Sequence, residues 1–285
     1  MKKVLITGAN SYVGTNVEEW LIKEPENFYV ETLDMKDPNW RDFDFTRFDV
    51  VFHVAGIAHI SSRKHDKNYY LYINRDLAVE TANIAKKAGV NRFIFMSSMS
   101  IYNKKDIIIT KSVIPKPNTI YGISKYEAEL ELIKLQDFSF EVSIIRPPMI
   151  YGKSCNGNYK YLSNFAKKIR YFPNITNKRS MIFIDNFSEF IKNIIISGQS
   201  MIYFPQNAEY VNTSNLVKKI AEFSGKNITL IRFFNPIIKI VSLMGMNKFR
   251  KVFGDCYYDM SLSQYDFNYQ LFDFDDTILR TEKNG

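Results

Sequence analysis

The chain has 285 residues, 46% apolar and 24% charged, which excludes a disordered or fibrous protein. Its 38 Lys and Arg against 30 Asp and Glu leave a net charge of +8, spread over short clusters, so no nucleic-acid partner is expected. Two cysteines give neither a disulfide framework nor, with His, metal-ligand spacing, so no metal is expected. Three apolar residues after Met1-Lys2-Lys3 are too few for a signal peptide, and no apolar run reaches the ~20 residues of a membrane span. These features predict a soluble, cytoplasmic protein.

In chain order, the first half of the sequence alternates strand and helix signals. Strands are predicted at 4–7, 29–33, 50–54, 93–97 and 142–146, and helices at 12–23, 69–88 and 124–135. Strands alternating with helices of this length form βαβ units with a parallel sheet. The unbroken apolar run at 93–96 is typical of a strand covered on both faces. The prediction is an α/β fold with a Rossmann-type doubly wound parallel sheet.

After Arg146-Pro147-Pro148 the pattern changes, because Asn, Tyr, Phe and Lys become more frequent and the signals shorter. We expect the sheet domain to occupy residues 1–150, with a helix at 186–197 returning to it. Residues 151–285 are expected to form mainly a smaller C-terminal lobe.

A glycine-containing turn lies between the first predicted strand and helix. Gly8 and Gly14 are two of the three glycines of a dinucleotide-binding turn, and Ser11 holds the middle place. Glycines there allow a pyrophosphate to approach the N–H groups that begin the helix. Asp34, twenty residues past Gly14, can accept hydrogen bonds from the adenosine ribose and repels a 2′-phosphate. The sequence therefore predicts a site that prefers NAD(H), while the nearby Lys36 leaves NADP(H) open.

Tyr121 and Lys125 stand four residues apart in a predicted helical region. Side chains at this spacing lie one turn apart on the same face of a helix. A lysine ammonium near a phenol lowers the phenol's pKa from ~10, which permits proton exchange with a substrate near neutral pH. Ser98 lies 23 residues before Tyr121, at the end of a predicted parallel strand, where ligands of such sheets bind. The three residues predict an acid–base site.

Together these residues resemble the extended short-chain dehydrogenase/reductase family, which contains nucleotide-sugar epimerases, dehydratases and reductases. The resemblance covers nearly the whole chain. Asn103 replaces a glycine at the end of one of its segments. The further matching segments are His53-Val54-Ala55-Gly56, Asn74, Met96-Ser97-Ser98-Met99-Ser100-Ile101-Tyr102, Arg146-Pro147-Pro148-Met149-Ile150-Tyr151-Gly152 and Arg179-Ser180-Met181-Ile182-Phe183-Ile184-Asp185.

The resemblance implies a role for each matching residue, with an NAD-binding first domain and a substrate-binding lobe. Ser98, Tyr121 and Lys125 are expected to be catalytic, and Tyr121 and Lys125 also to contact the cofactor. The other expected cofactor residues are Gly8, Ser11, Tyr12, Val13, Gly14, Asp34, Val54, Ala55, Gly56, Asn74 and Pro148. The expected substrate residues are Ser98, Ser100, Asn158, Arg179 and Arg250. The implied partner is a UDP-sugar, and a homodimer is left open.

The residues after Ser98 indicate which of the family's reactions the chain is expected to catalyse. The family's 4,6-dehydratases carry an Asp-Glu pair where this chain has Met99 and Ser100, and its GDP-sugar epimerase-reductases carry a Cys in this segment. Residues 95–100, 146–152 and 177–180 are especially similar to reductases of UDP-4-keto-6-deoxy-N-acetylhexosamines in bacterial capsule and O-antigen biosynthesis, so the resemblance favours a reductase acting at C4. The alternative is a 4-epimerase of UDP-glucose or UDP-N-acetylglucosamine that holds its NAD tightly. A non-catalytic NAD-binding regulator is a third hypothesis, but it would be expected to lose Ser98, Tyr121 or Lys125.

Overall fold

The computed structural model describes residues 1–58, 67–102, 108–233, 235 and 252–283. The strands are β1 (Lys2–Thr7), β2 (Phe28–Leu33), β3 (Val50–His53), β4 (Arg92–Met96), β5 (Ile108–Ile109), β6 (Glu141–Ile145), β7 (Met149–Tyr151), β8 (Tyr171–Pro173), β9 (Met181–Phe183), β10 (Ile202–Tyr203), β11 (Thr229–Ile231) and β12 (Tyr257–Tyr258). The helices are α1 (Tyr12–Leu21), α2 (Lys67–Leu71), α3 (Leu77–Lys87), α4 (Ile120–Lys134), α5 (Asn158–Ala166), α6 (Ile184–Ser197), α7 (Thr213–Phe223) and α8 (Phe274–Lys283).

Six parallel strands of the described chain form one sheet in the order β10-β6-β4-β3-β1-β2. Strand β1 lies between β2 and β3. The chain therefore forms β2 on one side of β1 and then crosses over to form β3 on the other side of β1. This reversal is the switch point at which doubly wound sheets bind ligands. The predicted Rossmann-type fold is confirmed.

Both faces of the sheet are covered by apolar side chains. Ile6, Phe52 and Ile94 belong to a core cluster on the face where α6 packs, and that cluster also includes Val17 of α1. Residues one position away along the strands join a second cluster with buried alanines of α3. Successive strand residues point to opposite faces, so central strands buried on both sides need the unbroken apolar runs seen in the sequence.

More of the second half of the chain packs on the main sheet than the single helix predicted at 186–197. Helix α6 packs against α1, and Trp20 donates its indole N–H to Glu189 at 2.8 Å. Strand β10 also joins the main sheet, where Ile202 pairs with Ile144. The expected boundary at residue 150 stays a prediction.

The remaining strands form three parallel pairs outside the main sheet, β7 with β9, β8 with β11 and β5 with β12. Tyr151 is fully buried there, where its hydroxyl contacts Thr277 of α8 at 2.6 Å and accepts from Asn207 at 2.9 Å. The C-terminal helix is thereby tied to the strand that follows β6.

Within the described ranges, no helix has the length and apolar character needed to span a membrane. Nor do the described residues contain a group of three or more His, Cys, Asp or Glu side chains suited to hold a metal ion.

Candidate active site

The turn after β1 has the shape of an anion-binding loop. Gly8 has φ +102°, and a Cβ there would lie 2.8 Å from the backbone nitrogen of Ala55, so only glycine fits. Ser11 caps α1, and its Oγ accepts from the N–H of Gly14 at 3.1 Å. The first turn of a helix leaves N–H groups without intrahelical acceptors, here those of Tyr12 and Val13. A serine in the middle place therefore still gives an open helix N-terminus for a pyrophosphate.

Tyr12 belongs to this turn through its backbone, because its ring points away from it. Its buried hydroxyl lies beside Gly152 of the smaller lobe and has no hydrogen-bond partner among the described residues. Val13 is half-buried and packs on the core. The side chains of both residues thus face the packed interior.

Asp34 is the first residue after β2 and is exposed beside the turn. The carbonyl of Leu33 accepts from the N–H groups of Gly8 and Ala9, at 2.9 and 3.1 Å. One oxygen of Asp34 accepts from the N–H of Lys36 at 3.0 Å. A carboxylate is therefore held beside the glycine turn, as a site for ribose hydroxyls requires.

The segment after β3 closes the other side of the crevice. Val54 and Ala55 are buried, and both donate their N–H groups to the carbonyl of Thr7 at 3.0 Å. A Cβ on Gly56 would lie 2.9 Å from Oδ1 of Asn74 and 3.1 Å from the Lys125 ammonium. A side chain on residue 56 would therefore press against both groups, which glycine avoids.

Asn74 holds the segment after β3 in place through hydrogen bonds to its backbone. Its amide exchanges two hydrogen bonds with the backbone of Ile57, at 2.8 and 3.0 Å, and donates to Ser124 at 3.0 Å. Asn74 is fully buried in a π-helical segment, Tyr72–Asp76, inside the single helix predicted at 69–88. Such π-bulges occur frequently at functional sites. The structure thus places Asn74 where it holds the loop after β3, and its contact with a cofactor stays a prediction.

The three expected catalytic residues come together at the carboxyl end of β4. The hydroxyl of Ser98 hydrogen-bonds the phenol of Tyr121, which lies in the first turn of α4. Lys125 is 3% exposed, donates to the carbonyl of Met96 at 2.8 Å and lies over the ring of Phe95 at 4.7 Å. Helix α4 begins at residue 120, earlier than predicted, because Thr119 caps it by accepting from the N–H of Gly122 at 3.0 Å.

Burial governs the ionisation of both residues on this helix. It raises the pKa of Tyr121, contrary to the lowering predicted from a neighbouring lysine, and the hydrogen bond from Ser98 acts in the opposite direction. Burial lowers the pKa of Lys125 to about 7, against the favourable charge of Glu129. A lysine that titrates near neutrality is typical of a functional site.

The segment after β6 forms the adjoining wall. Pro148 is buried, and the carbonyl of Pro147 accepts from the N–H of Met99 at 2.9 Å. This hydrogen bond holds the segment against the residue that follows Ser98. Pro148 therefore lies at the same end of the sheet as the catalytic residues.

The expected substrate residues are only partly brought together. Ser100 is exposed, and its N–H donates to Ser98 Oγ at 3.1 Å. Arg179 forms backbone bridges with Val211 and Cys256, and Cys256 Sγ lies 3.7 Å from Met99 Sδ, so this segment borders the catalytic end of the sheet.

The two other expected substrate residues are Asn158 and Arg250. Asn158 begins α5 and is exposed, so its contact with a substrate stays a prediction. Arg250 lies outside the described residues.

One buried group of this site did not emerge from the sequence. Glu129 is 1% exposed and pairs with Arg146 at 2.6 Å, one helical turn beyond Lys125. The signal was present, because Tyr121, Lys125 and Glu129 repeat every four residues along one face of α4.

The residues present fit a dinucleotide. The open N-terminus of α1 suits the pyrophosphate, Asp34 suits the adenosine ribose, and the Lys125 ammonium suits the second ribose. The glycine-only positions at Gly8 and Gly56 keep side chains out of the crevice between them.

Comparison of the sequence with known proteins finds relatives named as epimerases and reductases of diphosphate-linked sugars. UDP-glucose 4-epimerase of Vibrio cholerae is 29% identical over 77% of this chain and 75% of its own length. N-acetyl-alpha-D-glucosaminyl-diphospho-ditrans,octacis-undecaprenol 4-epimerase of Escherichia coli O157:H7 is 28% identical, over 82% and 76%. UDP-2-acetamido-2,6-beta-L-arabino-hexul-4-ose reductase of Pseudomonas aeruginosa is 26% identical, over 81% and 60%.

Comparison of the structure gives the same fold. UDP-glucuronic acid 4-epimerase from Bacillus cereus, solved in complex with NAD, has a TM-score of 0.74 at 16% identity, over 99% of this chain and 97% of that one. Residues 4–200 match the model of the NAD dependent epimerase/dehydratase family, and this span includes every segment that forms the dinucleotide crevice and the Ser98–Tyr121 contact. The chain belongs to the NAD-dependent epimerase/dehydratase family.

Proposed function

We propose that this protein oxidises or reduces C4 of a UDP-linked sugar, with NAD(H) as the preferred cofactor. The observation that carries the proposal is the assembly of Ser98, Tyr121 and Lys125 at the carboxyl end of β4, beside a dinucleotide-shaped crevice. A bound nicotinamide would supply the hydride acceptor and donor. The prediction that NAD(H) is preferred rests on Asp34, whose carboxylate would repel a 2′-phosphate.

The chain's own groups handle the proton and the orientation of the sugar. Tyr121 exchanges a proton with the C4 oxygen, as acid in reduction and as base in oxidation. Ser98 donates a hydrogen bond to that oxygen, because its hydroxyl already lies against the phenol. Lys125 binds the nicotinamide ribose through its ammonium and favours the phenolate form of Tyr121 by its charge.

A 4-epimerase is the first candidate within this chemistry, since two relatives aligned over three quarters or more of this chain carry that name. In an epimerase, Tyr121 removes the proton of the C4 hydroxyl and returns it to the C4 oxygen after the keto sugar has turned. The UDP-4-keto-6-deoxy-N-acetylhexosamine reductase favoured by the sequence is the second candidate, supported by the reductase relative from Pseudomonas aeruginosa. Capsule or O-antigen biosynthesis would use either reaction. The regulator hypothesis is disfavoured because Ser98, Tyr121 and Lys125 are all present and assembled.

The experiment that separates the two candidates asks what the purified protein needs. We expect it to retain NAD after purification and to interconvert UDP-glucose and UDP-galactose, or their N-acetyl forms, without added cofactor. A requirement for added NADH or NADPH together with a 4-keto sugar nucleotide would instead establish the reductase. The Tyr121→Phe variant is the control, since it should be inactive in both assays. Absence of both activities with every UDP-sugar tried would overturn the proposal.

A further inference from the structure

The active-site helix is fastened to the sheet by a buried cluster that no catalytic step uses. Glu129 Oε1 accepts from the hydroxyl of Ser97 and from Nε of Arg146, the latter at 3.1 Å. Its Oε2 accepts from Nη2 of Arg146 at 2.6 Å. The side chains of Glu129 and Arg146 are 1% and 7% exposed. A buried carboxylate with this many donors is fixed in position.

The partners of Glu129 come from two neighbouring strands. Ser97 is the first residue after β4, and Arg146 is the first residue after β6. Ser98 follows Ser97 directly, and the Pro147–Pro148 segment follows Arg146. One carboxylate on α4 therefore reaches both strand ends that carry walls of the candidate site.

Arg146 is held from its far side as well. Its Nη1 donates to the hydroxyl of Tyr102 at 2.7 Å, and its guanidinium lies 5.5 Å from that ring. The hydroxyl of Tyr258 in β12 donates to the Arg146 carbonyl at 2.9 Å. These contacts fix the guanidinium, and through it the carboxylate of Glu129.

We propose that Glu129 is a positioning residue of the active site, which holds α4 against the ends of β4 and β6 and gives the Lys125 ammonium a carboxylate counter-charge. The inference deepens the proposed function and rests on it for the roles of Tyr121 and Lys125. Because Tyr121, Lys125 and Glu129 share one helix face, a shift of Glu129 along the helix axis would move the other two. Removing its charge takes away the carboxylate that Arg146 pairs with and whose charge acts on Lys125.

The other described groups that surround Lys125 are uncharged near neutral pH. His53 of β3 is fully buried, and burial together with Lys125 lowers its pKa to about 3. From β4, Lys125 meets the carbonyl of Met96 and the ring of Phe95, and the Asn74 amide lies across Gly56. Tyr121 lies one turn earlier on the same helix. Among the described residues, Glu129 is the carboxylate whose charge stabilises the ammonium form of Lys125.

The test compares Glu129→Gln, which keeps the shape and removes the charge, with Glu129→Asp, which keeps the charge. Glu127→Gln is the matched control, because Glu127 lies on the same helix but pairs with Arg75 at the surface. The pH midpoint of Lys125 ionisation is read by NMR of labelled lysine, assigned with Lys125→Met. The affinity for NADH is measured across the same pH range.

In Glu129→Gln we expect the Lys125 midpoint to fall by about one pH unit, because an opposite charge nearby typically shifts a pKa by 1–3 units. NADH affinity at pH 7.5 should weaken about tenfold as the ammonium form is lost. Glu129→Asp and Glu127→Gln should keep the wild-type midpoint. A Glu129→Gln protein that is less heat-stable but has the wild-type midpoint and NADH affinity would show a merely structural role and overturn the inference.

Two further outcomes keep the test decisive. If Glu129→Gln does not fold, Ser97→Ala still removes the contact of Glu129 with the end of β4, and unchanged NADH affinity in that variant would overturn the inference. If the wild-type protein turns over no UDP-sugar, the proposed function fails, whereas the Lys125 midpoints still decide the role of Glu129.

Discussion

Gly122 lies with its Cα directly against the carbonyl oxygen of Ser100, so close that no side chain fits between them. The contact joins the first turn of α4, which carries Tyr121, to the short 3-10 turn Met99–Ile101 that Ser98 caps. The hydrogen bond between Ser98 and Tyr121 depends on this approach of the two backbones.

Gly122→Ala should therefore be destabilising, although alanine is intrinsically favoured over glycine within a helix by about 1 kcal/mol. The added methyl must push α4 away from Ser100, so we expect turnover to fall at least tenfold and the urea midpoint to fall. Equilibrium urea unfolding and steady-state assays measure both quantities. A variant that is more stable than wild type and fully active would contradict the packing described.

Tyr121→Phe should lower kcat by about 10²–10⁴-fold, since that is the typical contribution of general acid–base catalysis. Folding and NADH binding should be retained, because only the oxygen is removed. Circular dichroism and NADH fluorescence check these two properties. Tyr126→Phe on the same helix is the control and should keep near-normal turnover.

The buried ammonium of Lys125 should make the cofactor-free protein more stable as pH rises. Its pKa is about 7 in the folded protein and 10.5 for an unperturbed lysine, so between these values the unfolded chain binds more protons. The unfolding free energy should then increase with pH by at most about 1.4 kcal/mol per unit between pH 7 and 10. Urea unfolding at several pH values, with Lys125→Met subtracted, isolates this slope. A wild-type protein with the same slope as Lys125→Met would show that Lys125 ionises normally.

Asp34→Ala should narrow the difference in affinity between NADH and NADPH, mainly by improving NADPH binding. The carboxylate lies beside the turn that receives the pyrophosphate, where it would repel a 2′-phosphate. Asp37→Ala, three residues further on and also exposed, is the matched control. Tighter binding of NADPH than NADH by the wild-type protein, unchanged in Asp34→Ala, would refute the assignment.

Arg179→Ala should raise the KM for the sugar nucleotide about 10- to 100-fold and leave NADH affinity nearly unchanged. A hydrogen bond to a charged group contributes about 1.5–3 kcal/mol, and burial already lowers the pKa of this guanidinium. Arg179→Lys should recover only part of the loss, because lysine lacks the planar fork for a diphosphate. Equal losses of substrate and cofactor affinity would mark Arg179 as structural.

The sequence correctly predicted those structural features that depend only on residues close together in the chain. The strands of the main sheet up to β6, the Gly8–Gly14 turn and the Tyr121–Lys125 spacing are each determined by neighbours within a few residues. The structure has all three, with each predicted strand end within two residues of the observed one. The π-helical segment at Tyr72–Asp76 was not predictable in this way, because it accompanies the hydrogen bonds that Asn74 makes to Ile57 and Ser124. The role of Glu129 likewise depends on Ser97 and Arg146, which meet it only after two strands have paired.

The return of α6 and β10 to the first sheet has a consequence for how the chain folds as it is synthesised. The partners Trp20 and Glu189 are 169 positions apart, so the face of the sheet that α6 covers stays open until about two thirds of the chain has emerged. Contacts between residues so far apart in the chain slow folding, and apolar strands stay exposed until these contacts form. Nascent chains that stall before Ile202 should therefore be bound by chaperones that recognise apolar segments, although they already carry every residue of the Ser98–Tyr121–Lys125 group.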